Sequence, residues 1–176
     1  MARVSASDQL ARLLALPAWV AEHDGADGLL TGCSVMVFGA YMFVNIWQNN
    51  QWCGQEDITY GKCYEVRDPL DLAILASAGF GACVGFLWWN AAPAKIFMGD
   101  VGSMAIGGVI ASMSILSRTE ILSVIIAGVF IIGPGSVILQ RYYFKATGGK
   151  RLFLMSPFHH HLEMRGWPEI TIVVRM

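Results

Sequence analysis

Residues 72–94, LAILASAGFGACVGFLWWNAAPA, carry no charged side chain and include a tryptophan pair, Trp88 and Trp89. A run of that length suits a helix crossing the hydrocarbon of a bilayer, and tryptophan settles where hydrocarbon meets water. Three more runs share the pattern: Leu29 to Trp47, Val101 to Ser117 and Ile121 to Gln140. Only Arg118, Thr119 and Glu120 separate the last two, which predicts a tight turn between antiparallel helices. Gly133, Pro134 and Gly135 interrupt the fourth run, so a kink or break is expected there.

Composition agrees. Hydrophobic residues make up 55% of the 176-residue chain and charged residues 14%, against about 25% charged in soluble domains. A water-soluble domain of this size has too little interior to cover so much apolar surface. The expected fold is therefore all-α, a polytopic integral membrane protein with about four transmembrane helices and catalytic loops on the cytoplasmic side. The net charge of −1 gives no basis for a nucleic-acid partner. Near the N-terminus LARLLALPAWV is broken by Arg12 and Pro17 and reads as an interfacial helix rather than a span.

Four spans put the segment before Leu29, the loop around Asp100 and the tail after Gln140 on one side. That side holds Arg3, Arg12, Lys95, Arg141, Lys145, Lys150, Arg151, Arg165 and Arg175, while the other holds only Lys62, Arg67 and Arg118. The basic side is predicted to be cytoplasmic. Cys53 and Cys63 flank a polar loop on the opposite side, where an oxidising compartment would let them pair. Cys33 and Cys83 lie in apolar runs and read as small buried residues.

The candidate chemistry gathers on the basic side. In NAAPAKIFMGDVGS (residues 90–103) Gly99 and Gly102 bracket Asp100 at the start of an apolar run. A carboxylate beside open backbone at a helix start suits a metal and a phosphate, and it equally suits a helix cap. Lys95 can contact a phosphate or act as an interfacial anchor, and Asn90 and Phe97 can hold a flat base or pack at a helix end. In DGADGL, Asp24 and Asp27 are spaced to share one helical face, with Gly25 and Gly28 leaving backbone bare. Such a pair can bind Mg²⁺ with substrate phosphates, divide into metal ligand and general base, or cap a helix. His159, His160 and His161 point in different directions, which argues against one shared metal and for a basic loop reaching a polyphosphate.

NAAPAKIFMGDVGS, SRTEILSVIIAGVF, SVILQ and MSPFHHHLEMRGWPE, in this order, resemble the phospho-N-acetylmuramoyl-pentapeptide transferases of bacterial cell-wall synthesis. CYEVRDPLDLA is similar to actinobacterial members. The aspartate motifs belong to the wider superfamily of polyprenyl-phosphate sugar-1-phosphate transferases; the triple histidine and its flanks point to the muramoyl branch. The resemblance implies a Mg²⁺-dependent enzyme of the bacterial plasma membrane. Its reaction would move phospho-MurNAc-pentapeptide from UDP-MurNAc-pentapeptide to undecaprenyl phosphate, giving lipid I and UMP. By resemblance Asp24, Asp27, Asp100 and His159 to His161 belong to the catalytic site, with Asp100 as the Mg²⁺ ligand. Gly25, Asn90 and Phe97 match positions around the uridine, and Lys95 is a further candidate for substrate binding.

The chain departs from that pattern where Ala21, Glu22 and His23 precede DGADGL and where Gly133, Pro134 and Gly135 fall. Residues 1–23 read as an interfacial or non-native segment, and residues 24–176 as a transferase domain lacking the family's N-terminal half and last span. Little or no activity is expected of the chain alone, and its exposed helix faces predict association, a homodimer included. The competing expectations are another polyprenyl-phosphate sugar-1-phosphate transferase and a non-catalytic membrane remnant.

Overall fold

The computed structural model describes residues 28–51, 53 and 66–175, and among them all regular structure is helical. The order is α1 (Leu29–Asn50), α2 (Pro69–Asn90), α3 (Gly99–Leu116), α4 (Glu120–Ile126), α5 (Gly128–Ala146), α6 (Phe158–Met164) and α7 (Glu169–Arg175). Three helices, α1 to α3, are long and apolar enough to cross a membrane, and α4 with α5 make a fourth when taken as one bent span.

α1 is the central element. Leu30, Ser34, Val37, Tyr41, Asn45 and Gln48 recur every three or four residues and are buried, which defines a single inward stripe. Met36, Phe43 and Trp47 point outward and are exposed. The polar residues Ser34, Asn45 and Gln48 thus face the protein along with Leu30, Phe38 and Tyr41, while Met36, Phe43 and Trp47 face out, an arrangement that lipid favours. Ser34 Oγ donates to the Leu30 carbonyl, Asn45 Nδ2 to the Tyr41 carbonyl, and Gln48 Nε2 to the Ser117 carbonyl at 3.1 Å.

α2 runs antiparallel along α1. Its start is conventional, with Pro69 in the first turn, where a missing N–H costs nothing, and Asp71 beside the helix N-terminus. Midway, the Phe38 ring lies over Gly79 and the Phe80 ring over Gly39, so each helix offers a glycine to the other's aromatic side chain. Ile110 and Met113 of α3 complete the buried cluster with Ala127 and Phe130. The bond from Gln48 to Ser117 ties the end of α1 to the end of α3, giving an up-down-up order with residues 28, 90 and 99 at one end.

No break in the helix falls at Gly133, Pro134 and Gly135. α5 runs through all three, with the Ser136 hydroxyl donating to the Gly133 carbonyl at 2.6 Å. The bend of 78° falls at Ala127, between α4 and α5. The reason is packing: Ala127 is 1% exposed and Phe130 is completely buried, so the corner is where the chain inserts into the core. A proline removes one backbone bond, and that alone does not fix a corner.

Of the cysteines, Cys53 is disulfide-bonded, while Cys33 and Cys83 are free and buried. Cys63 lies outside the described residues.

Candidate functional site

The loop between α2 and α3 starts from a buried amide. Asn90 is 5% exposed; its Oδ1 accepts from Thr31 Oγ1 at 2.7 Å and its Nδ2 donates to the Ile96 carbonyl at 2.9 Å. One side chain therefore fixes the loop to α1 and folds it back on itself. A second bond, from the Lys95 N–H to the Trp89 carbonyl at 2.9 Å, closes the turn around Pro93.

On that frame the remaining loop residues are presented outward. Phe97 is exposed, and Lys95 Nζ sits 5.5 Å from the centroid of the Trp89 ring, a cation–π contact at the aromatic end of α2. Asp100 occupies the first turn of α3, is exposed, and makes no ion pair among the described residues. The residue before it, Gly99, has φ +69°, a left-handed conformation that side chains resist. At Gly102, a Cβ would fall on the Met98 side chain. The bracketing glycines are thus accounted for by backbone conformation on one side and close packing on the other. Ser103, buried beneath, donates through Oγ to the Asp100 carbonyl at 3.0 Å.

Gly28 connects this loop to the acidic DGADGL segment. Its φ is +78°, and a Cβ there would meet the Asn90 carbonyl oxygen at 3.3 Å and Ala91 Cα at 3.4 Å. The chain thus enters α1 directly against the start of the Asp100 loop. Asp24, Gly25 and Asp27 lie outside the described residues.

The histidines lie on the short helix α6 rather than in a loop, and α6 packs against α5 and α7. Successive helix positions diverge, yet the His159 and His160 rings stay in contact while His161 takes separate partners. His161 is buried, accepts the Leu154 N–H at Nδ1 across 3.1 Å, stacks on Phe158 and meets Phe153 edge to face. His160 Nδ1 lies 2.8 Å from Glu163 Oε2. His159 is buried with its ring centroid 4.3 Å from that of His160. Among the described residues no three His, Cys, Asp or Glu side chains gather closely enough to hold a metal together.

Two positioning residues escape notice in the sequence. Thr31 holds Asn90, and Gln140 accepts the Leu152 and Phe153 N–H groups at 3.1 and 2.9 Å, pinning the approach to the histidine helix. The signal for both was a lone polar side chain within or ending an apolar run, which must find a partner inside the protein.

The model of glycosyl transferase family 4 matches residues 18–118, more than half of the chain and all of the Asp100 loop. The chain belongs to glycosyl transferase family 4. Curated relatives of this chain named phospho-N-acetylmuramoyl-pentapeptide-transferase include those of a Nocardioides species, 61% identical over 158 residues, and Renibacterium salmoninarum, 64% identical over 153 residues. A third, from Cutibacterium acnes, is 58% identical over 152 residues. Each comparison covers 86% of this family 4 chain and 42–43% of the relative, so the chain spans about two-fifths of the length of the relatives it matches.

Proposed function

We propose that this chain carries part of the catalytic face of a phospho-N-acetylmuramoyl-pentapeptide transferase of the bacterial plasma membrane, with the Asp100 loop on the cytoplasmic side. The substrates are UDP-MurNAc-pentapeptide and undecaprenyl phosphate, and the products lipid I and UMP. The observation that carries this reading is the seating of Gly28 against Asn90 and Ala91. It sets the N-terminal end of α1 against the loop that presents Asp100, which supports a site shared with the acidic residues that precede Gly28 in the sequence.

In this reading Phe97 stacks on the uracil and Lys95 meets the diphosphate, while Asn90 holds the turn on which both stand. Gly25 belongs beside the uridine, and the histidine helix borders the same polyphosphate. The lipid phosphate oxygen bonds to the phosphorus nearest the sugar as the bond from that phosphorus to UMP breaks. Asp100 fits Mg²⁺, which binds through one or two carboxylates, substrate phosphates and water rather than in an all-protein cage. Bound there with help from Asp24 or Asp27, the ion would offset diphosphate charge and polarise the phosphoryl oxygens. The exposed apolar helix faces meet lipid and further helices, a second copy included.

The test is radiolabelled transfer from UDP-MurNAc-pentapeptide to undecaprenyl phosphate, with residues 24–176 exchanged into a full-length relative. Asp100→Asn should lower the rate about 100-fold or more, the usual scale for losing a preorganised electrostatic group. Equal rates would remove Asp100 from the mechanism. Preference for a UDP sugar lacking the peptide would instead assign the chain to another sugar-1-phosphate transferase.

A further inference from the structure

A cleft of about 390 Å³ lies between the C-terminal half of α5 and residues 151–156, away from the Asp100 loop. Its polar lining is Gln140, Arg141, Arg151 and Ser156, and its apolar lining includes Phe144, Leu154 and Met155. Among the described residues neither arginine has a carboxylate partner. Two guanidiniums facing one cleft without a counter-charge favour a phosphate, which each can bind through paired N–H groups.

The cleft is also held open by the fold. Gln140 accepts from the N–H groups of Leu152 and Phe153 and donates through Nε2 to the Phe153 carbonyl at 3.3 Å, while Leu154 N–H is held by His161. The far wall is thus clamped to α5 on one side and to α6 on the other. Little reorganisation remains for a ligand to offset.

The occupant follows from the surroundings. α5 is the long arm of the bent span, and this cleft forms where its apolar run gives way to Arg141, Lys145, Lys150 and Arg151. Tyr142, 75% exposed, stands at that boundary, and Leu152, Leu154 and Met155 are exposed beside the charges. Basic groups above exposed apolar ones match a headgroup above a lipid chain. We infer that this cleft is a binding site for an anionic phospholipid of the bilayer, with the headgroup phosphate between Arg141 and Arg151 and an acyl chain over Phe144, Leu154 and Met155. The inference is independent of the transfer reaction.

The purified chain in detergent, titrated with dioleoyl-phosphatidylglycerol and monitored by native mass spectrometry, tests it. Dioleoyl-phosphatidylcholine, inorganic phosphate and undecaprenyl phosphate form the comparison arms. Phosphatidylglycerol should be retained roughly tenfold better than phosphatidylcholine. The Arg141→Gln/Arg151→Gln variant should lose that preference, and Arg165→Gln should keep it. Equal retention of the two phospholipids by the wild type, or an unchanged preference in the double variant, overturns the site. Competition by inorganic phosphate at matching concentration would make it a free-anion site, and retention of undecaprenyl phosphate alone would make it part of the substrate path; both overturn the inference. If the double variant loses helix content, the wild-type comparison of the two phospholipids decides.

Discussion

Thr31 Oγ1 donates to Asn90 Oδ1 across 2.7 Å, joining the first turn of α1 to the last residue of α2 within the buried interior. Thr31→Val keeps the shape and removes the donor, leaving a buried amide oxygen unpaired. The expected cost is about 1–3 kcal/mol. It should appear as a lower unfolding midpoint in detergent and faster hydrogen exchange across residues 91–97, and Thr31→Ser should restore most of both. Unchanged exchange in Thr31→Val would show that the loop does not depend on this bond.

Gly99 supports a second prediction. Its φ of +69° sits in open space, so conformation alone selects glycine there. Gly99→Ala should cost about 1 kcal/mol or more and shift the first turn of α3, which carries Asp100. In the full-length exchange, transfer should fall while Gly99→Asn, better tolerated at positive φ, falls less. Equal rates for alanine and asparagine would argue against a conformational cause.

Some of this was legible beforehand, and the reasons are physical. Span positions could be read because an uncharged run in lipid has few alternatives to a helix, and α1 to α3 begin and end close to the runs seen in the sequence. The prominence of Asp100 and its glycines was legible because charge is rare in such a chain. The pairing of Thr31 with Asn90 was not, since it joins residues 59 apart and depends on how α2 packs against α1. The histidines were expected to diverge, yet the His159 and His160 rings meet, and the helix that carries them is a tertiary product, docked on α5 through residues 151–154.

Phe38 and Gly79 yield a third prediction. A Cβ at Gly79 would lie 3.0 Å from two ring carbons of Phe38, tighter than packed cores accept. Gly79→Leu should destabilise the helix pair by about 1–3 kcal/mol through overpacking. Gly81 and Gly85, on the outer face of α2 with nothing near, should accept alanine neutrally or gain about 0.5–1 kcal/mol from helix propensity. Thermal unfolding of the three variants in one detergent measures the contrast, and a benign Gly79→Leu would mean that α2 does not pack here.

The histidines should separate by the same kind of comparison. His161→Phe preserves the aromatic stacking but leaves the Leu154 N–H without its acceptor. Exchange at Leu154 should quicken about fivefold, corresponding to a bond worth about 1 kcal/mol. His160→Ala loses a partly exposed contact with Glu163 and the ring contact with His159 and should change stability by less than about 1 kcal/mol. If both variants alter Leu154 alike, the three histidines act as a unit and not as individual contacts.

The corner between α4 and α5 separates local chemistry from packing most sharply. Pro134 lies inside a continuous helix, whereas Ala127 and Phe130 are buried at the bend. Phe130→Ala should therefore cost about 3–5 kcal/mol and loosen the 78° angle, because the ring that anchors the corner is gone. Pro134→Ala should leave the angle intact and, by restoring an N–H to the helix, be neutral or stabilising. Spin labels on exposed Ile121 and Tyr142 report the angle as a distance distribution between the two arms. A distribution that lengthens in Pro134→Ala and holds in Phe130→Ala would return the bend to the proline and remove packing as its cause.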